Sequence, residues 1–198
     1  MTRRRPTRRQ RRRIDPARRA AFDALRAVTA NDAYANLVGP TLFSERRLAE
    51  RDAAFATELL HGTCRYLGTY DRIIEAASGR RLGSLQAAVI DILRLGSHQL
   101  LSMRVPSHAA VAATVDLAGT AVGEHVTGLV NAITRRIDTH DMEGWIEVLS
   151  EGLAECDALA LRTHHPRWIV DVYAEQLPAS ELETALHANN IPPQTTLA

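Results

Sequence analysis

The chain has 198 residues, of which 45% are hydrophobic and 5% aromatic, and its formal net charge is +1. That length suffices for one domain with a real core, or for one domain and part of another. Cys64 and Cys156 are too few and too far apart for a disulfide framework, so reduced thiols in the cytoplasm are expected. No apolar run approaches a membrane span, and the arginine-rich start lacks the apolar segment of a secretory signal. We therefore predict a cytoplasmic protein without membrane contact; an organellar transit peptide is the alternative.

The charge is distributed unevenly. Residues 1–19 contain ten arginines and one aspartate, a charge of +9, whereas the remainder contains 14 arginines and 22 acids, a charge of −8. We expect residues 1–14 to form a disordered basic tail in the absence of a partner. Because arginine binds phosphate bidentately and stacks on exposed bases, the tail favours RNA as that partner. A solubilising extension is the alternative.

Apolar residues recur at helical spacing, and no run alternates with the period of a strand, so the sequence predicts an all-α fold. Asp15 is predicted to cap a first helix that starts at Pro16. Gly96 lies inside an apolar stripe, where its missing side chain would allow a second helix to approach closely. The predicted helical segments up to residue 137 are 16–31, 34–43, 51–78 with a kink near Gly68, 85–103, 106–117 and 126–137.

Beyond Asp138 the chain becomes acidic, with eleven acids and two arginines in residues 137–198. We predict a helical extension over residues 139–198, in which Trp145 to Leu159 form one stripe and Ser180 with Glu183 form a capping box for the last helix. The opposite face of that stripe is either a solvated surface or a docking surface for a basic partner. Its acidic row consists of Glu143, Glu147, Glu151 and Glu155.

Catalytic and metal-binding patterns are weak. His61 and Cys64 lie one helical turn apart without a second pair of ligands nearby, so we predict no metal site. No nucleophile elbow, phosphate-binding glycine loop or dinucleotide fingerprint occurs. His98 and His108 bracket the Val105-Pro106 corner and are expected to bond the backbone there. Asn131, one turn before Arg135, is a candidate ligand contact, or else it satisfies neighbouring backbone groups.

An ordered set of short motifs resembles the NusB-like domain, and it covers about residues 15–138. The resemblance implies a helical bundle that binds RNA. The motifs that carry it are Arg18 to Leu25, Ala33 to Asn36, Arg51-Asp52, Glu58 to Gly62, Arg65, Asp71, Leu93 to Gly96, Gln99 to Leu101, Val105-Pro106 and Val130-Asn131. The candidate RNA-binding residues are Arg8, Arg9, Arg11, Arg12, Arg13, Arg18, Arg19 and Arg135.

Two subfamilies share this domain. Free-standing NusB antitermination factors end soon after the Val130-Asn131 helix, whereas the extension here resembles the linker of the Sun/Fmu (RsmB-type) ribosomal RNA cytosine-5 methyltransferases. This implies an RNA-binding N-terminal module whose partners are ribosomal RNA and a catalytic methyltransferase domain in cis. We expect no cofactor and no catalytic residue in this chain, because neither cysteine matches a catalytic motif; S-adenosylmethionine would serve the absent domain.

Two other hypotheses stay open. A free-standing NusB-like RNA-binding factor would act in transcription antitermination or ribosome biogenesis. A helical protein-interaction scaffold would carry its arginine tail only incidentally.

Overall fold

The computed structural model describes residues 15–191. Within this range every regular element is helical, which confirms the all-α prediction; the predicted disordered tail, residues 1–14, lies outside it. Short 3₁₀ turns occur at Leu82–Ser84 and Glu124–Val126. The helices are α1 (Pro16–Asn31), α2 (Ala35–Glu45), α3 (Glu50–Arg65), α4 (Leu67–Ser78), α5 (Ala87–Leu101), α6 (Ser107–Ala121), α7 (Thr127–Ile137), α8 (Met142–Ser150), α9 (Glu155–Arg162), α10 (Arg167–Gln176) and α11 (Ala179–Ala188).

The start of α1 is as predicted. The Asp15 side chain accepts a hydrogen bond of 2.9 Å from the Arg18 backbone N–H, and Pro16 is the first helical residue. The predicted long helix over residues 51–78 instead consists of α3 and α4. The break lies at Tyr66, two residues before the expected kink, because Tyr66 leaves helical geometry with φ −103° and ψ 16°.

Helices α1 to α7 surround one hydrophobic core, with α5 near its centre. Among its fully buried side chains are Leu25, Leu59, Ile92 and Leu93. Gly96 lies at the predicted close crossing. A Cβ atom there would come within 2.8 Å of Thr114 Cγ2 on α6 and 3.3 Å of Thr134 Cγ2 on α7. The glycine therefore allows α6 and α7 to pack together against α5.

The extension forms a second, smaller core that consists of Leu159, Ala160, Val170, Leu182 and Leu186. It is tied to the bundle by hydrogen bonds as well as by packing. Trp145 Nε1 donates to the Ile137 carbonyl oxygen at 2.8 Å. No helix among residues 15–191 is long and apolar enough to cross a membrane.

Two predictions for the extension are wrong. The single stripe is divided because α8 ends at Ser150, Gly152 adopts a positive φ of 72°, and α9 begins only at Glu155. The acidic row therefore does not follow one helix face, although Glu143, Glu147 and Glu151 still border one groove. The fourth member, Glu155, pairs with Arg162 at 2.8 Å.

The predicted capping box at Ser180 and Glu183 is also absent. Pro178 already has φ −58° and ψ 147°, and α11 begins directly after it at Ala179. Ser180 is therefore the second residue of the helix, where its side chain cannot cap the start, and no side chain makes an N-cap hydrogen bond there. The proline, not the serine, fixes where α11 begins.

Candidate nucleic-acid interface

The side chain of Arg18 is fixed by contacts with other residues of the bundle. Its Nη1 donates to Asp15 Oδ2 at 2.6 Å, its Nε donates to Gln99 Oε1 at 2.6 Å, and its guanidinium carbon lies 4.7 Å from the centroid of the Phe55 ring. Only 15% of the side chain is exposed. Arg18 therefore fastens α1 to α3 and α5, and Asp15 offsets its charge. A role in binding RNA stays a prediction for this residue.

Arg19 is more exposed but is also paired. Its Nε donates to Asp23 Oδ2 at 2.9 Å, and the same carboxylate oxygen accepts from Arg46 Nη2 at 2.6 Å. One aspartate thus lies between two guanidinium groups, so the trio has a net charge of +1. In the side chain of Arg19 only Nε donates to another described residue, and its RNA contact likewise stays a prediction.

Arg135 is exposed on α7. Its Nε lies 3.3 Å from Asn131 Oδ1, one turn earlier, and no ion pair joins it to another described residue. The predicted neighbourhood of Asn131 and Arg135 is therefore real. Because the Asn131 amide is uncharged, this long hydrogen bond leaves the charge of Arg135 unneutralised and available to an anionic ligand.

Two adjoining grooves bring the start of α1 and the outer face of α7 together. The first, of about 630 Å³, is lined by Asp15 and Arg18 and the second, of about 660 Å³, by Asn131 and Arg135. Ala112 and Asp116 of α6 line both grooves, so the two grooves adjoin at this helix.

Asp15, the first residue that the structure describes, lines this grooved face. The chain of residues 1–14 therefore connects to the bundle there. The five candidate arginines of the tail (Arg8, Arg9, Arg11, Arg12 and Arg13) lie outside the described residues. Acids outnumber arginines on this face, because the two grooves are lined by Arg18 and Arg135 and by four aspartates, Asp15, Asp52, Asp116 and Asp138. Within it, Arg135 is the exposed arginine.

His98 is not a backbone cap at the Val-Pro corner, and that expectation is wrong. The ring is 1% exposed, its Nδ1 lies 2.8 Å from the Tyr70 hydroxyl, and that hydroxyl lies 2.8 Å from Ser102 Oγ. Its Nε2 lies 3.4 Å from Glu58 Oε1, too far for a good hydrogen bond, and has no hydrogen-bond partner among the described residues. Burial lowers the pKa of His98, partly offset by the Glu58 charge. His108, by contrast, is exposed on α6.

A buried ion-pair network joins α1, α4 and α5. Asp91 is 1% exposed and accepts from Arg26 Nη1 at 2.6 Å, Thr29 Oγ1 at 2.7 Å and Arg94 Nη1 at 2.8 Å. Arg94 also forms a two-point pair with Asp71, at 2.7 Å on both oxygens. These arginines therefore serve the fold, since their donors are already directed at carboxylates.

Cys64 is poorly suited to nucleophilic chemistry. Burial, reinforced by the negative charge of Asp91, raises the pKa of its thiol to about 11. The thiolate is the nucleophile and the metal ligand, so a thiol of this kind is almost unreactive at neutral pH. Within residues 15–191 no group of three or more His, Cys, Asp or Glu side chains lies close enough together to hold a metal ion.

The described helices define an all-α bundle with a grooved face at α1, α6 and α7. A model of the NusB family matches residues 15–139, which correspond to α1 through α7. The chain belongs to the NusB family.

The curated relatives are longer proteins. The chain is 46% identical over 194 residues to the Mycobacterium tuberculosis (strain H37Rv) protein named Putative methyltransferase Rv1407, a match that covers 96% of this chain and 42% of the relative. It is 31% identical over 147 residues to ribosomal RNA small subunit methyltransferase B of Vibrio cholerae, a match that covers 74% of this chain and 32% of that protein. The chain thus spans less than half the length of either relative.

Two solved structures share the fold. The crystal structure of PH0851 matches 93% of this chain and 41% of its own, with a TM-score of 0.67 and 14% identity. A chain in the crystal structure of a plectonemic RNA supercoil matches 62% of this chain and 91% of its own, with a TM-score of 0.58 and 22% identity.

Proposed function

We propose that this chain is the RNA-binding N-terminal module of an S-adenosylmethionine-dependent 16S ribosomal RNA (cytosine-5) methyltransferase. The observation that carries the proposal is the extent of the match to the M. tuberculosis relative. The NusB family model ends at residue 139, yet that match covers 96% of the chain and so includes the extension α8–α11. The extension is thus a feature shared with a protein named as a methyltransferase.

In this proposal the domains have separate roles. The tail, residues 1–14, and the grooved face with Arg135 bind ribosomal RNA, residues 15–138 form the NusB-like domain, and residues 139–198 form a helical linker to a catalytic domain in cis. Arginine side chains supply phosphate contacts without a metal ion.

Methyl transfer is assigned to that catalytic domain. Transfer to cytosine C5 requires a thiolate that adds to the base and a pocket for the methyl donor. Cys64 does not fit the first requirement, because burial raises its pKa to about 11. We therefore expect this chain by itself neither to bind S-adenosylmethionine nor to methylate RNA.

The test supplies the two halves separately. A catalytic domain expressed by itself should methylate 16S ribosomal RNA faster when residues 1–198 are added in trans. Calorimetry with S-adenosylmethionine should show no binding to residues 1–198. Stoichiometric binding of that cofactor, or methylation by this chain alone, would contradict the proposal.

A free-standing NusB-like factor in antitermination or ribosome biogenesis is the second candidate. One observation favours it: 91% of the shorter chain in the RNA-supercoil crystal structure is covered by this fold, so the bundle also exists without a large additional domain. Under this alternative the chain would bind RNA but would have no effect on methylation in the trans assay.

A further inference from the structure

A cavity of about 450 Å³ lies where α9 and α10 pack against α3 and α4. Long-range contacts hold its walls together. His164 Nδ1 lies 3.1 Å from Thr69 Oγ1, 95 residues away in the sequence, and the rings of His164 and Tyr66 meet edge to face with centroids 4.5 Å apart. The cavity is therefore a fixed seam between the NusB-like bundle and its extension, and we call it the seam cavity.

Its lining is basic. Arg65, Arg72 and Arg167 face one acid, Asp157. Arg65 and Arg72 are exposed, and neither forms an ion pair with another residue of the range 15–191. Arg167 divides its guanidinium between Asp157 at 2.8 Å and Asp171 at 2.9 Å. The guanidinium groups of Arg65 and Arg72 are thus without an ion-pair partner in the range 15–191, and neither has a structural role there.

The seam cavity also has open space beside one of its lining glycines. Gly68 lines it, and a Cβ atom at that position would meet no atom within 4 Å. The neighbouring His165 has its Nδ1 2.6 Å from the Thr163 carbonyl oxygen, so Nδ1 carries the proton and Nε2 remains for another partner.

We propose that the seam cavity binds a phosphate group, held by Arg65 and Arg72 with Arg167 at its edge. Guanidinium groups match the geometry of phosphate oxygens and retain their charge at any physiological pH. The inference rests on the proposed function for its ligand: in an RNA-binding module the phosphate belongs to the RNA backbone. The extension then helps to bind RNA, in addition to linking two domains.

The first test compares two charge-matched double variants. Arg65→Gln/Arg72→Gln removes the two uncommitted seam arginines, whereas Arg80→Gln/Arg81→Gln removes two exposed arginines outside the cavity. We expect the seam double variant to bind 16S ribosomal RNA about tenfold more weakly than the control, and its log affinity against log salt to flatten by about 1.4 for two lost contacts. Melting temperatures should stay equal.

The second test works in the opposite direction. Asp157→Asn removes the acid that lines the cavity and releases Nη1 of Arg167, so RNA should bind several-fold more tightly. Asp171→Asn is the control, because Asp171 also pairs with Arg167 but does not line the cavity. Gly68→Leu should block the site, whereas Gly128→Leu, at another unobstructed helical glycine, should not.

Titration with inorganic phosphate separates this inference from the proposed function. Phosphate should shift the His165 ring signals in NMR spectra of the wild-type chain but not of Arg65→Gln/Arg72→Gln. If RNA binds and both double variants bind it equally, the seam inference is wrong and the proposed function stands. If phosphate binds at the seam but RNA does not bind at all, the site stands and the proposed function fails. If neither binds, both are wrong.

Discussion

Gly62 lies directly against the imidazole of His98: a Cβ atom at position 62 would come within 2.1 Å of His98 Nε2. This contact joins α3 to α5 at the point where a buried polar ring must be accommodated. Gly62 therefore leaves room for the ring, and Glu58, one turn earlier on α3, places Oε1 3.4 Å from His98 Nε2.

Replacement of Gly62 by alanine should destabilise the fold. The new methyl group would overlap a fully buried side chain, so we expect the free energy of unfolding to fall by about 1–3 kcal/mol. Chemical denaturation measures this change. Gly128→Ala is the matched control, since nothing lies within 4 Å of its Cβ position, and its effect should stay below about 1 kcal/mol. Equal midpoints for the two variants would contradict the contact.

Asp91 should be the most sensitive carboxylate in the described bundle. Asp91→Asn removes the negative charge of the carboxylate that pairs with both Arg26 and Arg94. Because loss of a buried partner is costly, the free energy of unfolding should fall by about 3–5 kcal/mol. Glu155→Gln breaks a pair whose carboxylate is 82% exposed, so it should cost less than about 1 kcal/mol. Denaturation curves of the two variants that coincide would show that Asp91 is not structurally important.

His164 should make stability depend on pH. Burial, with the charges of His187 and His165, lowers its pKa to about 4, whereas an unfolded histidine titrates near 6.5. Between these values the unfolded chain binds a proton that the folded chain does not, so the free energy of unfolding falls as the pH is lowered from 6.5 to 4, by up to about 1.4 kcal/mol per pH unit.

The variant His164→Asn isolates this contribution. Asparagine tolerates the positive φ of 58° at this position. Its unfolding free energy should fall less steeply between pH 6.5 and 4 than that of the wild type. The slope should not vanish, because the pKa of buried His98 is lowered as well. Identical slopes for variant and wild type would mean that His164 becomes protonated without cost in the folded state.

Arg18 and Arg135 should respond differently to substitution. Arg18→Gln loses the Asp15 pair and the packing on Phe55, so the melting temperature should fall. Arg135→Gln should leave the melting temperature unchanged and weaken RNA binding several-fold, with the salt slope lower by about 0.7. Thermal melts and RNA titrations of both variants provide the comparison. An Arg135→Gln variant with wild-type affinity would remove α7 from the interface.

Short-range signals in the sequence predicted much of the fold. Asp15 and Pro16 define the start of α1 because a cap and a fixed φ are local properties. The close helix crossing at Gly96 was predictable because this glycine lies in an apolar stripe. The missing side chain leaves space for Thr114. Apolar residues at helical spacing predicted the helices up to residue 137 in their order along the chain, except for the break between α3 and α4.

Features that depend on distant residues were missed. Helical spacing around residue 152 continues the α8 stripe, and nothing local reveals that Gly152 turns the chain with a positive φ. The sequence predicted that His98 bonds the backbone at the Val105-Pro106 corner, because only the packed structure brings Tyr70 and Glu58 close to it. The seam cavity needs His164, between α9 and α10, to contact Tyr66 and Thr69, and no pattern within the separate segments specifies these contacts.

The most direct test of the account is the salt dependence of RNA binding. The affinity of residues 1–198 for 16S ribosomal RNA should fall steeply with salt. Deletion of residues 1–13 removes eight arginines. If about half of them contact phosphates, the slope of log affinity against log salt should flatten by roughly 3. A chain that binds no RNA at low salt would contradict the central claim, and an unchanged slope after the deletion would assign the tail to solubility alone.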